Sequence, residues 1–193
     1  ELGAVAGLAE RVRLGVLVDS SDVVEALARS DAPGLRVWIK VDTGYGRAGI
    51  GCHDEGLLTV VARSILDSPG LKLAGVLTHN GLTYRERGRD GVVRAHSEAM
   101  KGLLAAKELV SSSTAGECAV SIGDTPAASL VDELPGVDEV RPGNFVFNDL
   151  TQVAIGSCDL DDVAVAVACP VVSVYPHRGE IVLYGGAVHL STE

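Results

Sequence analysis

Along the chain, short aliphatic runs alternate with stretches in which apolar residues recur every three or four positions. Leu2, Val5, Leu8, Val12 and Leu14 open the sequence at helical spacing, with Glu10, Arg11 and Arg13 among them. Residues 14–18 then read as a strand, closed by Asp19-Ser20-Ser21-Asp22, a cluster of helix N-cap residues. A helical pattern through Val23, Val24, Leu27 and Ala28 ends at Pro33-Gly34, and residues 35–41 form the next strand. Asp54 caps a helix through Leu57, Val60, Val61, Ile65 and Leu66, which Ser68-Pro69-Gly70 stops. Leu71–Leu77 is a strand, a polar loop covers residues 83–91, and a long helix runs to about Val110. Residues 118–122 and 137–140 supply two more strands.

Strand, polar loop and helix repeating about every 30 residues is the rhythm of βαβ units in a parallel sheet. Five strand-like units precede residue 145. A closed parallel barrel needs eight, so the pattern predicts an open sheet or a barrel without its opening strands. The character changes after Asp149. Residues 163–174 and 181–190 read as longer β segments joined by a turn at 175–179, with no helix between them. This predicts an α/β unit over residues 1–149 and the start of an all-β unit over 150–193.

Composition narrows the function classes. The 193 residues carry 16 Lys plus Arg against 26 Asp plus Glu, a formal charge of −10, which disfavours nucleic acid and anionic membranes as partners. The most apolar stretch, residues 163–174, is broken by Pro170 and is shorter than the ~20 residues of a membrane span. No secretory leader pattern opens the chain. Cys52, Cys118, Cys158 and Cys169 lack CxxC spacing, which points to free thiols in a reducing compartment, the cytoplasm. Met100 is the sole methionine, so the chain reads as a central piece of a longer protein.

In parallel α/β folds the loops after the strands' C-terminal ends build the active face. The chemistry-bearing residues gather at those ends: Asp42-Thr43-Gly44-Tyr45-Gly46-Arg47, then His79, Asn80 and Tyr84, then Gly123-Asp124-Thr125, then Arg141-Pro142-Gly143-Asn144. Any one such cluster is ordinary for a strand end. Four on one rim, two with an arginine, point to a shared anionic ligand. The last two suit phosphate, through backbone N–H groups beside glycine and the Thr125 hydroxyl.

The stretch Trp38-Ile39-Lys40-Val41-Asp42-Thr43-Gly44-Tyr45-Gly46-Arg47-Ala48-Gly49-Ile50, the Thr78-His79 strand end and Arg141-Pro142-Gly143 together resemble the fold-type III pyridoxal-phosphate enzymes. Alanine racemase, the D-threonine aldolases and the D-serine dehydratases form that group. Gly123-Asp124-Thr125-Pro126, the motif His79 to Tyr84, the motif Arg141 to Asp149 and the motif Gly185 to Ser191 are most similar to the aldolase and dehydratase branch. The resemblance implies a (β/α)8 TIM barrel of the alanine-racemase type followed by a β domain. It implies a lyase or racemase acting on a D-amino acid through an aldimine of pyridoxal 5'-phosphate.

It also implies roles. Arg141 faces the pyridine nitrogen or braces the phosphate loop, while Gly143, Asn144, Gly123 and Thr125 bind the phosphate. Arg47 lies near the cofactor's phenolic oxygen or the substrate carboxylate. His79 lines the ring pocket, and Tyr84 stands at its edge as a proton-relaying group. The alternatives are a solvated surface tyrosine at 84 and a plain strand-end histidine at 79. His96 reads as a helix-surface residue and His177 as a turn residue.

The family's Schiff-base lysine has no match. Lys72 reads as preceding a strand and Lys101 and Lys107 as helical; Lys40 matches a position that in alanine racemases is a modified structural lysine. The dehydratases and aldolases also bind a divalent metal through residues near their C-termini, and no metal-ligand spacing is present here. The opening strands, the catalytic lysine and the metal ligands are thus expected to lie outside this chain. Two other readings stay open: a non-catalytic single-barrel pyridoxal-phosphate-binding protein, and a ligand-free inactive fragment. Bare sheet edges would be covered by a second copy or by a complementing segment of the same protein.

Overall fold

A computed structural model describes residues 2–30, 32–186 and 189. Its spine is β2 (Leu35–Asp42), the longest strand. Val37, Ile39 and Val41 alternate there with Arg36, Trp38 and Lys40, so each set takes one face of the pleat. The first set is wholly buried with Val61, Ala62, Ile65 and Leu103 in the main core. Those residues come from α3 (Glu55–Leu66) and α4 (Arg89–Thr114). The second set is also largely covered: Trp38 and Lys40 are only 7% and 9% exposed.

All pairings in the main sheet are parallel. The order is β1 (Gly15–Val18), β2, β4 (Leu71–Leu77), β5 (Ala119–Ile122) and β6 (Glu139–Val140), with the two-residue β3 (Ile50–Gly51) paired to the end of β2. The sequential, parallel order expected from the βαβ rhythm is therefore present. Among the described residues the sheet is open, with β1 and β6 at its edges. Between β2 and β4 the register slips after Val37, with Leu73 opposite Val37 and Gly75 opposite Trp38. Gly75 is required there because a Cβ would run into the backbone of Ala119 on β5.

Caps place the helices. Ser20 accepts from the N–H of Val23 at the start of α2 (Ser21–Ala28), and Asp54 accepts from the N–H of Leu57 at the start of α3. The opening helical pattern becomes α1 (Leu2–Ala9), which has no fully buried residue.

Several expectations are corrected. Lys72 lies inside β4 rather than before it. His96 is buried, because it falls on the stripe of α4 that carries Val92, Ala99, Met100 and Leu103. The chain after Asp149 first forms a short helix, α6 (Leu150–Ile155), capped by Asp149. That helix packs against α5 (Thr125–Leu130) and the 3-10 turn Gly81–Arg85, on the α/β side of the expected boundary. Of residues 163–174 only the end is strand: β7 (Val171–Tyr175) pairs antiparallel with β8 (Glu180–Leu183). The hairpin is as expected, but among the described residues 163–170 pair with no strand, and Val165 and Val167 are exposed. His177 occupies the turn Pro176–Arg178. The remainder of the 181–190 segment and of the Gly185 to Ser191 motif lies in part outside the described residues.

Candidate functional site at the strand ends

The C-terminal ends of β2, β4, β5 and β6 bring the expected residues together. Arg141, just past β6, is the centrepiece. Its Nε donates to Ser121 Oγ at 2.7 Å and its Nη2 to the Thr78 carbonyl at 2.8 Å. Its backbone N–H donates to the Ile122 carbonyl at 2.8 Å, and Glu139 stands 3.4 Å from Nε. Gly123 makes room for this side chain: a Cβ there would sit 2.9 Å from the Arg141 carbonyl oxygen and 3.0 Å from its Nη1.

His79 Nδ1 lies 2.6 Å from the Gly123 carbonyl oxygen. A carbonyl only accepts, so the Nδ1 carries the proton and Nε2 is left as the free acceptor of the neutral ring. Burial lowers the His79 pKa; the Gly123 bond opposes this, and the charges of Arg47, Lys40 and Arg141 reinforce it. The net shift favours the neutral ring.

Tyr84 is not a solvated surface residue. It is half-buried, and its hydroxyl oxygen accepts from the backbone N–H of Thr125 at 3.2 Å. The phenol's own proton remains free to donate. Thr125 is fully buried, and its Oγ1 accepts from the backbone N–H of Asn144 at 3.1 Å. The two phosphate-type loops thus touch. The Thr125 and Asn144 amides donate within the protein, and the Thr125 hydroxyl proton is the donor left over. The Asn144 side chain donates to Asp149, and a Cβ on Gly143 would meet nothing within 4 Å. Asp124 anchors the turn: its Oδ1 accepts from the Ala127 N–H and the Thr83 hydroxyl, each at 2.8 Å, while burial raises its pKa.

Arg47 sits over the ring of Tyr45, 5.8 Å from its centroid, and that ring meets His79 edge-on at 5.9 Å. Lys40 adds a third cation. Burial, then the charges of Arg141 and Arg47, push its pKa down to about 8 against the opposing pull of Asp42 and Asp19. Lys101 is exposed and paired with Glu98, and Lys72 and Lys107 line the other end of the sheet, which makes Lys40 the lysine of this rim. Sequence reasoning listed Tyr45 in the rim cluster without a role and read Lys40 as matching a structural lysine, not as a cation of the rim. The signal available was an aromatic flanked by glycines beside an arginine, and a lysine in a strand of buried aliphatics.

A groove of about 980 Å³ opens at the opposite end, lined by Arg36, Lys72, Lys107 and Asp138 among others. None of the residues expected at the site reaches it. Convergent donors and perturbed groups, rather than volume, mark a site, and these lie at the C-terminal rim. Among the described residues no group of three His, Cys, Asp or Glu could hold a metal ion, and the four cysteines are free. No described helix is long and apolar enough to cross a membrane.

A parallel βαβ sheet with a cationic C-terminal rim defines the class, and the chain belongs to the family described as alanine racemase, N-terminal domain, which it matches over residues 3–150. That places it with the fold-type III pyridoxal-phosphate enzymes, as the motifs implied. Among curated proteins it is 33% identical over 183 residues to D-threo-3-hydroxyaspartate dehydratase of Delftia sp. strain HT23, covering 93% of this chain and 48% of that protein. It is 32% identical over 165 residues to D-serine dehydratase of Dictyostelium discoideum, covering 81% and 41%. The solved structure of the Delftia dehydratase superposes with a TM-score of 0.84 at 32% identity, over 95% of this chain and 49% of that one. An alanine racemase-like protein of Idiomarina loihiensis, at 23% identity and a TM-score of 0.85 over 98% and 51%, shares the fold. The chain spans about half the length of the curated relatives it matches.

Proposed function

We propose that this chain forms part of a pyridoxal-phosphate-dependent lyase acting on a D-amino acid, of the dehydratase or aldolase kind. The observation that carries the reading is the rim on which Arg141 is bonded to Ser121 and Thr78, His79 to Gly123, and Arg47 sits over the Tyr45 ring that meets His79 edge-on. A phosphate ester with an ionisable phenol and a substrate carboxylate supply the negative charges that such a cluster is built to meet.

The residues fit the cofactor. In this reading Arg141, Gly123, Gly143 and the Thr125 hydroxyl would hold its phosphate end and ring nitrogen, Asn144 would order that loop through its bonds to Thr125 and Asp149, and His79 would line the ring. When bound, pyridoxal phosphate supplies an electron sink for the pair left at the substrate's Cα. Arg47 orients the substrate carboxylate or the phenolic oxygen. Tyr84, its oxygen fixed by the Thr125 N–H, presents its proton at the pocket edge and acts as the proton-relaying group. The lysine that bonds the cofactor covalently in this family is not assigned to any of the four lysines here. A divalent metal, where the full-length protein uses one, is held by residues beyond those described. The reading extends to assembly: a second copy, or a further segment of the same protein, lies along the edges of β1 and β6.

The test is to load the full-length protein with pyridoxal phosphate and offer D-threo-3-hydroxyaspartate, D-serine and D-threonine. Ammonia with an oxo acid marks a dehydratase, and glycine with an aldehyde marks an aldolase. Failure to bind the cofactor, or binding without turnover of any of the three, overturns the reading.

A further inference from the structure

Ser121 and Glu139 stand opposite one another across the β5–β6 pairing, and Arg141 follows Glu139 by two residues, so the three side chains meet on one face. The fully buried Ser121 hydroxyl donates to Glu139 Oε1, and its oxygen accepts from Arg141 Nε at 2.7 Å. Chemistry fixes both directions, because a carboxylate only accepts and a guanidinium only donates. The serine is a spacer between opposite charges. Arg141 Nε lies 3.4 Å from the same carboxylate oxygen without bonding to it.

A guanidinium has five N–H donors in a rigid fork. Here Nε is held by Ser121 and one proton of Nη2 by the Thr78 carbonyl, which fills one edge of the fork. The other edge, made by Nη1 and the second proton of Nη2, is left over. Among the described residues Nη1 makes no hydrogen bond. Nη1 is also the nitrogen that a Cβ on Gly123 would meet at 3.0 Å, so the free edge lies against the glycine turn of the rim. Without the serine hydroxyl, the acceptor nearest to Nε is the Glu139 carboxylate. A direct pair would draw the guanidinium toward that partly exposed glutamate and away from the rim.

We propose that Ser121 is a positioning residue that keeps Arg141 from closing on Glu139, and that Glu139 restrains the charge Arg141 presents to bound pyridoxal phosphate. This rests on the reading above, in which Arg141 meets the cofactor. The two residues then act on cofactor binding with opposite sign: the serine serves it and the glutamate opposes it. A merely structural pair would give a loss for the removal of either.

The test titrates pyridoxal phosphate into the full-length protein and its variants, read by fluorescence. Ser121→Ala weakens binding by roughly tenfold, as for a lost hydrogen bond to a charged group. Glu139→Gln keeps an acceptor for the serine and loses the charge. It tightens binding by about twofold to fivefold, the range of an exposed charge pair, and added salt erases the gain. The double variant recovers part of the Ser121→Ala loss, because the competing carboxylate is gone. A crystal structure of Ser121→Ala shows Arg141 Nε bonded to Glu139. Undiminished binding in Ser121→Ala, weaker or unchanged binding in Glu139→Gln, no recovery in the double variant, or Nε left in place each overturn the assignment. If the Ser121 variants do not fold, the sign of the Glu139→Gln effect decides. If the wild type binds no cofactor, the lyase reading fails by itself, and the Ser121→Ala structure still decides the role of the serine.

Discussion

Arg141 at the end of β6 donates from Nη2 to the carbonyl oxygen of Thr78 at the end of β4, 2.8 Å away, passing over β5, whose Ser121 takes its Nε. One side chain thereby ties three strand ends together. The guanidinium is a brace as well as a charge, and this separates it from Arg47, whose contact is with a ring.

Arg141→Ala removes two hydrogen bonds from a charged donor and leaves the Thr78 carbonyl without that partner. We expect a loss of about 2–3 kcal/mol in stability and weaker binding of pyridoxal phosphate. Urea denaturation checks the first and a fluorescence titration of the cofactor the second. Arg47→Ala is expected to leave both nearly unchanged while raising KM for the amino acid. The reverse pattern would exchange the two roles.

Gly123→Ala places a methyl group 2.9 Å from the Arg141 carbonyl oxygen and 3.0 Å from its Nη1. Either the guanidinium or the backbone gives way. Overpacking of this kind costs about 1–3 kcal/mol. Combining Gly123→Ala with Arg141→Ala should cost less than the sum of the single changes, because part of the clash leaves with the guanidinium. A double-mutant cycle on denaturation midpoints reads the coupling.

Tyr84→Phe deletes the acceptor of the Thr125 N–H at the first turn of α5. The stability cost is about 1 kcal/mol. The greater effect falls on kcat, because the proton held at the pocket edge is gone. A stability change without a kcat change would make Tyr84 a purely structural residue.

Lys40 gives the pH dependence. Its folded-state pKa is about 8, below the ~10.4 of an unfolded lysine, so between these values the folded state binds fewer protons. Stability then rises with pH across that window, and below pH 8 the buried ammonium exerts its full destabilising effect, on the order of 3 kcal/mol. Lys40→Met should therefore stabilise the protein at pH 7 and lose that advantage by pH 10. Urea midpoints at the two pH values check it.

Much of this architecture is legible in local sequence because it rests on local rules. The alternation in β2 and the caps Ser20, Asp54 and Asp124 are satisfied within a few residues. The gathering of His79, Gly123, Thr125, Arg141 and Asn144 was legible for a different reason: in a parallel sheet all strand ends share one rim. What failed depended on distant partners. Residues 163–170 have strand composition but no neighbouring strand among the described residues, and strand preference is largely a preference for a surface to pack on. His96 sits among Arg94, Ser97 and Glu98 in sequence, and its helical angle rather than its neighbours buries it. Tyr45 gains its place from Gly81, which lies in the loop after another strand.

The position of β2 also sets how the site is held in time. Its amides lie between hydrogen-bonded neighbours on both sides, and its aliphatic face is wholly buried. Exchange of those amides with solvent deuterium requires the most complete opening of the fold. β6 is a two-residue strand with exposed side chains at the edge of the described sheet, and its amides are expected to exchange faster. The Lys40 side of the pocket is thus the slower-exchanging framework, and on the Arg141 side the side-chain bonds to Ser121 and Thr78 do what strand pairing does for β2. An anion bridging the two walls would slow exchange at Arg141 and Asn144 and leave β2, already protected, unchanged.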